Sequence, residues 1–363
     1  MEVIIECGQN DKILKELGQV LYEIPLINSY VLRIEEQHLQ RFKELKHITY
    51  YQITEITAQM QKERSMLNAE EAYMQGLSGK GITIAFLDTG IEQVKDLQRI
   101  VAFKDIINNK KKAYDDNGHG THVAGIACGS GLSSNGKYMG IAKDVNIVSV
   151  KILDENGAGN SAHVLAGLQW IMDNKAKLGI RIINMSVGTV GGDIRDPLVK
   201  AVEALWDDGT VVIAAAGNNG PSSGTITSPG ISKKIITVGA AGDDEKLKIW
   251  GNNLINFSGR GPTKECVIKP DVIAPGANVI SCLASNVRNE NIVDNYYLKL
   301  SGTSMATPMV SGAIALLLQK YPKLSPNNIK YLLKQSCISL GFPANQQGWG
   351  ILNIGELVKV CPL

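Results

Sequence analysis

Ile82-Thr83-Ile84-Ala85-Phe86-Leu87-Asp88 is a nearly continuous apolar run that ends on a carboxylate. Similar runs recur at Val145 to Leu153, Ile180 to Val187, Val211 to Ala216 and Ile235 to Ala240. Helical spacing lies between them at Ala162 to Lys177 and Pro197 to Trp206, and the helices Met305 to Lys320 and Pro326 to Ser336 close the chain. Apolar runs alternating with helices imply parallel strands buried on both faces, so residues 61–363 are expected to form one three-layer α/β domain around a mostly parallel sheet. In open parallel sheets, binding and catalytic groups gather beyond the carboxyl ends of the strands. Asp88 sits at such an end, as do Ser186-Val187-Gly188 and Gly217-Asn218.

Residues 1–60 have a different rhythm. A strand is expected at Glu2 to Cys7, then a helix capped by Asn10-Asp11 with Ile13, Leu14 and Leu17 on one face. A further strand is predicted around Tyr30 to Ile34, a helix over Glu35 to Lys46, and a strand over Ile48 to Ile56. This predicts a small α+β domain, and the polar stretch Ala58 to Arg64 reads as a linker.

Composition narrows the function classes. The 363 residues are 44% hydrophobic and 20% charged, which excludes gross disorder. With 37 basic and 35 acidic residues, a formal charge of +2 asks for neither nucleic acid nor an anionic membrane as partner. No apolar run reaches the roughly 18 residues of a membrane span. The opening has an acid at position 2, where a secretory signal has a basic start. The six cysteines are scattered without a Cys-x-x-Cys pair, so free thiols and a cytoplasmic location are expected.

Three segments carry chemistry. Asp88-Thr89-Gly90 stands at a strand end, and Asn117-Gly118-His119-Gly120-Thr121-His122 leads into a helix. Gly302-Thr303-Ser304-Met305-Ala306-Thr307-Pro308 opens the apolar C-terminal helix. Singly, they read as an Asx turn, a pair of core or surface histidines and a helix cap. Jointly they supply what activates a hydroxyl: Ser304 as nucleophile, His119 as base, and Asp88 to fix the imidazole tautomer and stabilise the imidazolium. His119 and His122 could suggest a metal, but no third ligand lies in helical register, so no metal and no cofactor are expected.

At these residues the chain resembles the subtilisin-like serine proteases, the subtilase family, most closely its intracellular bacterial members. The resemblance rests on Ala85-Phe86-Leu87-Asp88-Thr89-Gly90-Ile91, on His119 to Gly125 and on Gly302 to Pro308, in the order Asp, His, Ser. Val94-Lys95 departs from the His-Pro that relatives usually carry before Asp-Leu. The resemblance implies a serine endopeptidase acting on protein or peptide substrates through an acyl-enzyme. It also implies an oxyanion donor at Asn218 within Ala214 to Gly220, and peptide-pairing segments at Gly157-Ala158-Gly159 and Ser186-Val187-Gly188. Apolar preferences at P1 and P4 are expected.

By the same resemblance, residues 1–60 are a ferredoxin-like prodomain that assists folding and acts as an intramolecular inhibitor, with autoprocessing between Thr54 and Lys62. In relatives, a loop soon after the histidine helix holds calcium. Here Ser130 to Tyr138 contains no carboxylate, so that site is expected to be missing. Two other readings stay open: a catalytically dead fold used as a binding module, and a peptide ligase that replaces water with an amine.

Overall fold

The computed structural model of the chain describes residues 2–6, 18–24, 29–38, 40, 42, 50–52, 59–189, 193, 195–244, 247–249, 252–287 and 290–360. They belong to two units, Met1–Thr57 and Ala58–Leu363. In the first, β1 (Glu2–Glu6), β2 (Gly18–Ile24), β3 (Ser29–Ile34) and β4 (Tyr50–Gln52) form an antiparallel sheet in the order β2-β3-β1-β4. Strand β2 is absent from the sequence reading, although Val20, Tyr22 and Ile24 alternate as a strand should. The helix expected after Asn10 lies outside the described residues, as does most of Glu35 to Lys46.

The second unit begins with a correction. The expected linker is helical: α1 (Gln59–Met66) is followed by α2 (Glu70–Met74). Gln, Met, Lys, Glu and Arg are good helix formers even without an apolar stripe. Arg64 explains the order of α1, since it is buried and donates to the carbonyls of Met139 and, at 3.2 Å, Gly136.

The predicted strands are β5 (Thr83–Asp88), β7 (Asn146–Lys151), β8 (Ile180–Met185), β9 (Val211–Ala215) and β10 (Ile236–Ala241). Two strands missing from the reading, β6 (Ile100–Asp105) and β13 (Val272–Pro275), complete a seven-stranded sheet. Its order is β13-β10-β9-β8-β5-β7-β6, and every pairing is parallel. Both additions are edge strands. β6 is half-exposed and β13 is four residues long, so neither gives the doubly buried apolar run that marks a central strand. Two small antiparallel pairs, β11 (Leu247–Ile249) with β12 (Asn252–Leu254) and β14 (Val279–Cys282) with β15 (Tyr297–Leu300), lie outside this sheet.

The helices are α3 (His119–Cys128), α4 (Ser161–Leu178), α5 (Pro197–Asp207), α6 (Thr303–Lys320), α7 (Pro326–Ser336), α8 (Ala344–Gln347) and α9 (Ile354–Lys359). Leu87 and Asp88 point to opposite faces of β5. Gly167 of α4 lies against Leu87 and Gly120 of α3 against Asp88, so helices cover both faces. Every residue of α6 from Thr303 to Leu318 is buried, as a helix packed inside such a layer must be. The chain runs from β5 to β6 and β7 on one side, then to β8, β9 and β10 on the other. The reversal puts a crevice at the carboxyl end of β5, between the ends of its neighbours β7 and β8.

Candidate active site

Asp88 ends β5 and is buried. Its Oδ1 accepts from Thr89 N at 2.7 Å and lies 2.7 Å from His119 Nδ1. A carboxylate only accepts, so the proton of a neutral His119 is on Nδ1 and the Nε2 lone pair faces the other way. Gly120 permits this approach: a Cβ there would stand 2.0 Å from the Gly90 carbonyl oxygen and 3.1 Å from Asp88 Cβ. Burial alone would lower the His119 pKa, but the charge and hydrogen bond of Asp88, with the charge of Asp115, raise it above its ordinary value.

Asp115 is a residue the sequence reading passed over. Its carboxylate accepts from Thr89 Oγ1 at 2.9 Å, Gly118 N at 2.8 Å, Thr121 N at 2.9 Å and Thr121 Oγ1 at 2.7 Å. Thr89 Oγ1 in turn accepts from Gly120 N at 2.9 Å. One buried acid thereby ties the end of β5 to the first turn of α3, which fixes the Asp88–His119 distance. Lys151 was passed over as well, although a lysine closing an apolar strand signals a buried cation. Its Nζ donates to Thr89 O at 2.7 Å, Leu153 O at 2.7 Å and Asp116 Oδ1 at 2.6 Å.

Ser304 is the second residue of α6 rather than its cap, which is Gly302 with φ +148°, a value that only glycine adopts comfortably. Pro308 lies beyond the first turn and has no N–H for the carbonyl four residues earlier, that of Ser304. Ser186 Oγ fills the gap, donating to Ser304 O at 2.9 Å. Ser304 Oγ donates to Ser186 O at 2.9 Å, so its single proton must turn toward His119 before attack. Ser186 is itself held by Asn184 Nδ2 at 3.1 Å, and Asn184 Oδ1 accepts from Ser311 Oγ of α6 at 2.8 Å.

Asn218 follows β9. Its Oδ1 accepts from both Thr303 N and Thr303 Oγ1 at 3.0 Å, which fixes the amide so that its NH₂ is the end left to donate. Thr303, unremarked in the sequence, is thus what aims Asn218. A cavity of about 430 Å³ is lined by His119, Asn218, Ser304, Gly157-Ala158-Gly159 and Ser186-Val187-Gly188. All the expected site residues but Asp88, which lies behind His119, face this one space. In the 157–159 segment, Ala158 is already engaged: its N–H donates to Asp154 Oδ1 at 2.9 Å and its carbonyl accepts from Asp154 N at 2.8 Å.

His122 faces backbone carbonyls. Its Nε2 lies 3.2 Å from the carbonyls of both Val279 and Leu298, and burial pushes its pKa down to about 3. No group of three or more His, Cys, Asp or Glu suited to a metal occurs among the described residues. The described cysteines, Cys128, Cys266, Cys282 and Cys337, are free. Among the described residues, no helix is long and apolar enough to cross a membrane.

The sequence pattern of the subtilase family matches residues 79–350. The chain is 43% identical over 297 residues to the serine protease AprX of Bacillus subtilis (strain 168), covering 77% of this chain and 67% of that protein. It is 33% identical to subtilisin DY of Bacillus licheniformis, covering 80% of this chain and 95% of that protein. A cold adapted subtilisin-like serine proteinase of known structure superposes with a TM-score of 0.60 at 31% identity, over 76% of this chain and 90% of that one. A chain matched over that span belongs to the subtilase family, and its fold and enzyme class are those of a subtilisin-type serine peptidase.

Proposed function

We propose that this protein is an endopeptidase that cleaves peptide bonds through Asp88, His119 and Ser304, with Asn218 as oxyanion donor. The observation that carries the reading is the 2.7 Å contact of Asp88 Oδ1 with His119 Nδ1 behind a cavity that His119, Ser304 and Asn218 share. In the reaction, His119 Nε2 takes the proton of Ser304 Oγ as the oxygen bonds to the scissile carbonyl carbon. The imidazolium is stabilised by Asp88, and it then gives the proton to the leaving amine. The negative oxygen of the tetrahedral intermediate is met by Asn218 Nδ2 and by the Ser304 N–H, a first-turn donor that has no partner within its own helix. Water repeats the sequence on the acyl-enzyme.

The substrate would lie extended against Ser186-Val187-Gly188 and the 157–159 segment, with pairing left to Gly159 and the Gly157 carbonyl, because Asp154 engages Ala158 and, at 3.1 Å, the Gly157 N–H. Residues 1–60 serve in this reading as a prodomain, removed by the enzyme itself and inhibitory until then. The free described cysteines support a reducing, cytoplasmic setting.

Phenylmethylsulfonyl fluoride tests the central step. It should abolish activity and add one sulfonyl group at Ser304, and the Ser304→Ala protein should take up none. Labelling elsewhere, with activity retained, would defeat the assignment.

A further inference from the structure

A second groove, of about 820 Å³, borders the same end of α3 and is lined by Lys110, Lys111, Lys112, Tyr114, Ser285 and Asn286 among others. Asp115 also lines it and is bonded to Gly118 and Thr121, so the groove adjoins the entry to α3 on which His119 stands.

The loop that carries the lysines is tied down. Asp105, at the end of β6, accepts from Ile107 N and Asn108 N at 2.9 Å, Lys110 N at 3.1 Å and Tyr114 OH at 2.9 Å. Asn108 Nδ2 donates to the same tyrosine hydroxyl at 3.0 Å, and the Lys110 ammonium sits 4.4 Å from the centre of the Tyr114 ring. All three lysines are exposed, and no ion pair to any of them occurs among the described residues. Three acids, Glu92, Asp115 and Asp116, also line the groove, and each has protein partners of its own. Glu92 accepts from Ser285 N and Ser285 Oγ at 2.7 Å, Asp116 pairs with buried Lys151, and Asp115 is enclosed by its donors. Adjacent ammonium groups on a fixed loop repel one another, and a chain of opposite charge relieves that repulsion.

Resting on the protease reading above, we propose that Lys110, Lys111 and Lys112 form a cationic subsite that selects substrates carrying acidic side chains on the stretch of peptide that runs past His119. The lysines touch no reacting atom. They act through substrate affinity and encounter rate, so the preference is carried by KM and by kcat/KM and weakens with salt.

The test uses the full chain and internally quenched peptides: a neutral parent, and derivatives with one Asp, an Asp-Asp pair or a Lys-Lys pair moved across the positions on either side of the scissile bond. At low ionic strength the wild type should cleave the best acidic derivative about three- to tenfold more efficiently than the parent, the gain shrinking at about 0.5 M salt. The Lys110→Gln/Lys111→Gln/Lys112→Gln protein should cleave the neutral parent at the wild-type rate and lose the acidic gain. Lys111→Glu/Lys112→Glu should turn the preference toward basic peptides. No acidic gain at any position in the wild type, or a gain that survives in the triple variant, overturns the proposal and leaves the protease reading intact. Failure to cleave every peptide, the neutral parent included, would overturn both.

Discussion

At the scale of single residues, the site depends on atoms whose only role is to aim others. Thr303 is the clearest case, because it holds the carbonyl end of Asn218 from two sides at 3.0 Å. The oxyanion exists only along the reaction path, so Asn218→Ala should lower kcat about 10²–10³-fold with KM little changed, a magnitude established for the oxyanion donor of this family itself. A rise in KM at constant kcat would make Asn218 a substrate-binding residue instead. As the proposed base, His119 should set the acid limb of the pH profile. Its pKa is raised, because Asp88 and Asp115 outweigh burial, so the neutral base is lost while the pH is still above 6.5. The kcat/KM profile should bend on the alkaline side of 6.5, and an optimum near pH 5 would require a different base. His122 has the opposite sign and bears on stability. Its pKa is depressed to about 3, so the stability it contributes is full above about 6.5 and is lost as the pH falls toward 3. In Ser304→Ala protein, which cannot digest itself, urea unfolding should show this acid loss, and adding His122→Gln should flatten it. His119 and Ser304 stand out as residues, because two histidines stand close together and a serine opens an apolar helix, whereas Asn218 is singled out only by the family resemblance. Thr303, Asp115 and the Ser186 hydroxyl do not stand out, since their roles depend on a partner contributed by a remote segment.

At the scale of elements, double burial decided what could be read. β5, β7, β8, β9 and β10 announce themselves as apolar runs, whereas β6 has one half-exposed face and β14 and β15 form a short pair against α3. The loop after α3 shows how such a late element matters. Asp96 Oδ1 accepts from Ser133 N at 2.8 Å, and Asp96 Oδ2 accepts the hydroxyl of Tyr297 from β15. That hydroxyl also lies 3.0 Å from Ser134 Oγ, and the rings of Tyr297 and Tyr138 are 4.7 Å apart. The Asp96 carboxylate beside the loop is therefore occupied by protein donors, and the loop itself brings no carboxylate. Tyr297→Phe should cost about 1–3 kcal/mol, because it leaves Asp96 Oδ2 buried without its donor. Thermal unfolding with EDTA and with millimolar calcium should agree closely. A separation beyond about 10 °C would mean that a strongly held ion, not this network, fastens the loop.

At the scale of the whole molecule, convergence on one rim follows from the sheet order. Asp88 ends β5, the 157–159 segment follows β7, Ser186 follows β8 and Asn218 follows β9, so four remote stretches meet where the winding reverses. That much follows from the pattern of apolar runs, because any doubly wound parallel sheet does the same. The ties between stretches were not legible. Lys151 joins the ends of β5 and β7 to Asp116 ahead of α3 from inside the core, and no periodicity predicts which carbonyls a buried ammonium will reach. In the proposed reading, in which residues 1–60 are removed, local structure also limits where the chain can be cut. The expected cut between Thr54 and Lys62 spans the boundary at Thr57, but its last residues lie in α1, with Glu63 and Arg64 buried just beyond. A protease takes its substrate as an extended strand, and helical backbone has its donors and acceptors already engaged. Cutting inside α1 would first require unwinding it and withdrawing Arg64 from the carbonyls of Met139 and Gly136. The new amino terminus should therefore fall between residues 55 and 59, leaving α1 whole on the catalytic unit. Intact-mass measurement of wild type beside Ser304→Ala decides the matter. The wild type should lose a fragment of that length and the variant should not. Identical uncut masses after long incubation would refute autoprocessing, and a terminus beyond residue 59 would mean that α1 opens before the cut.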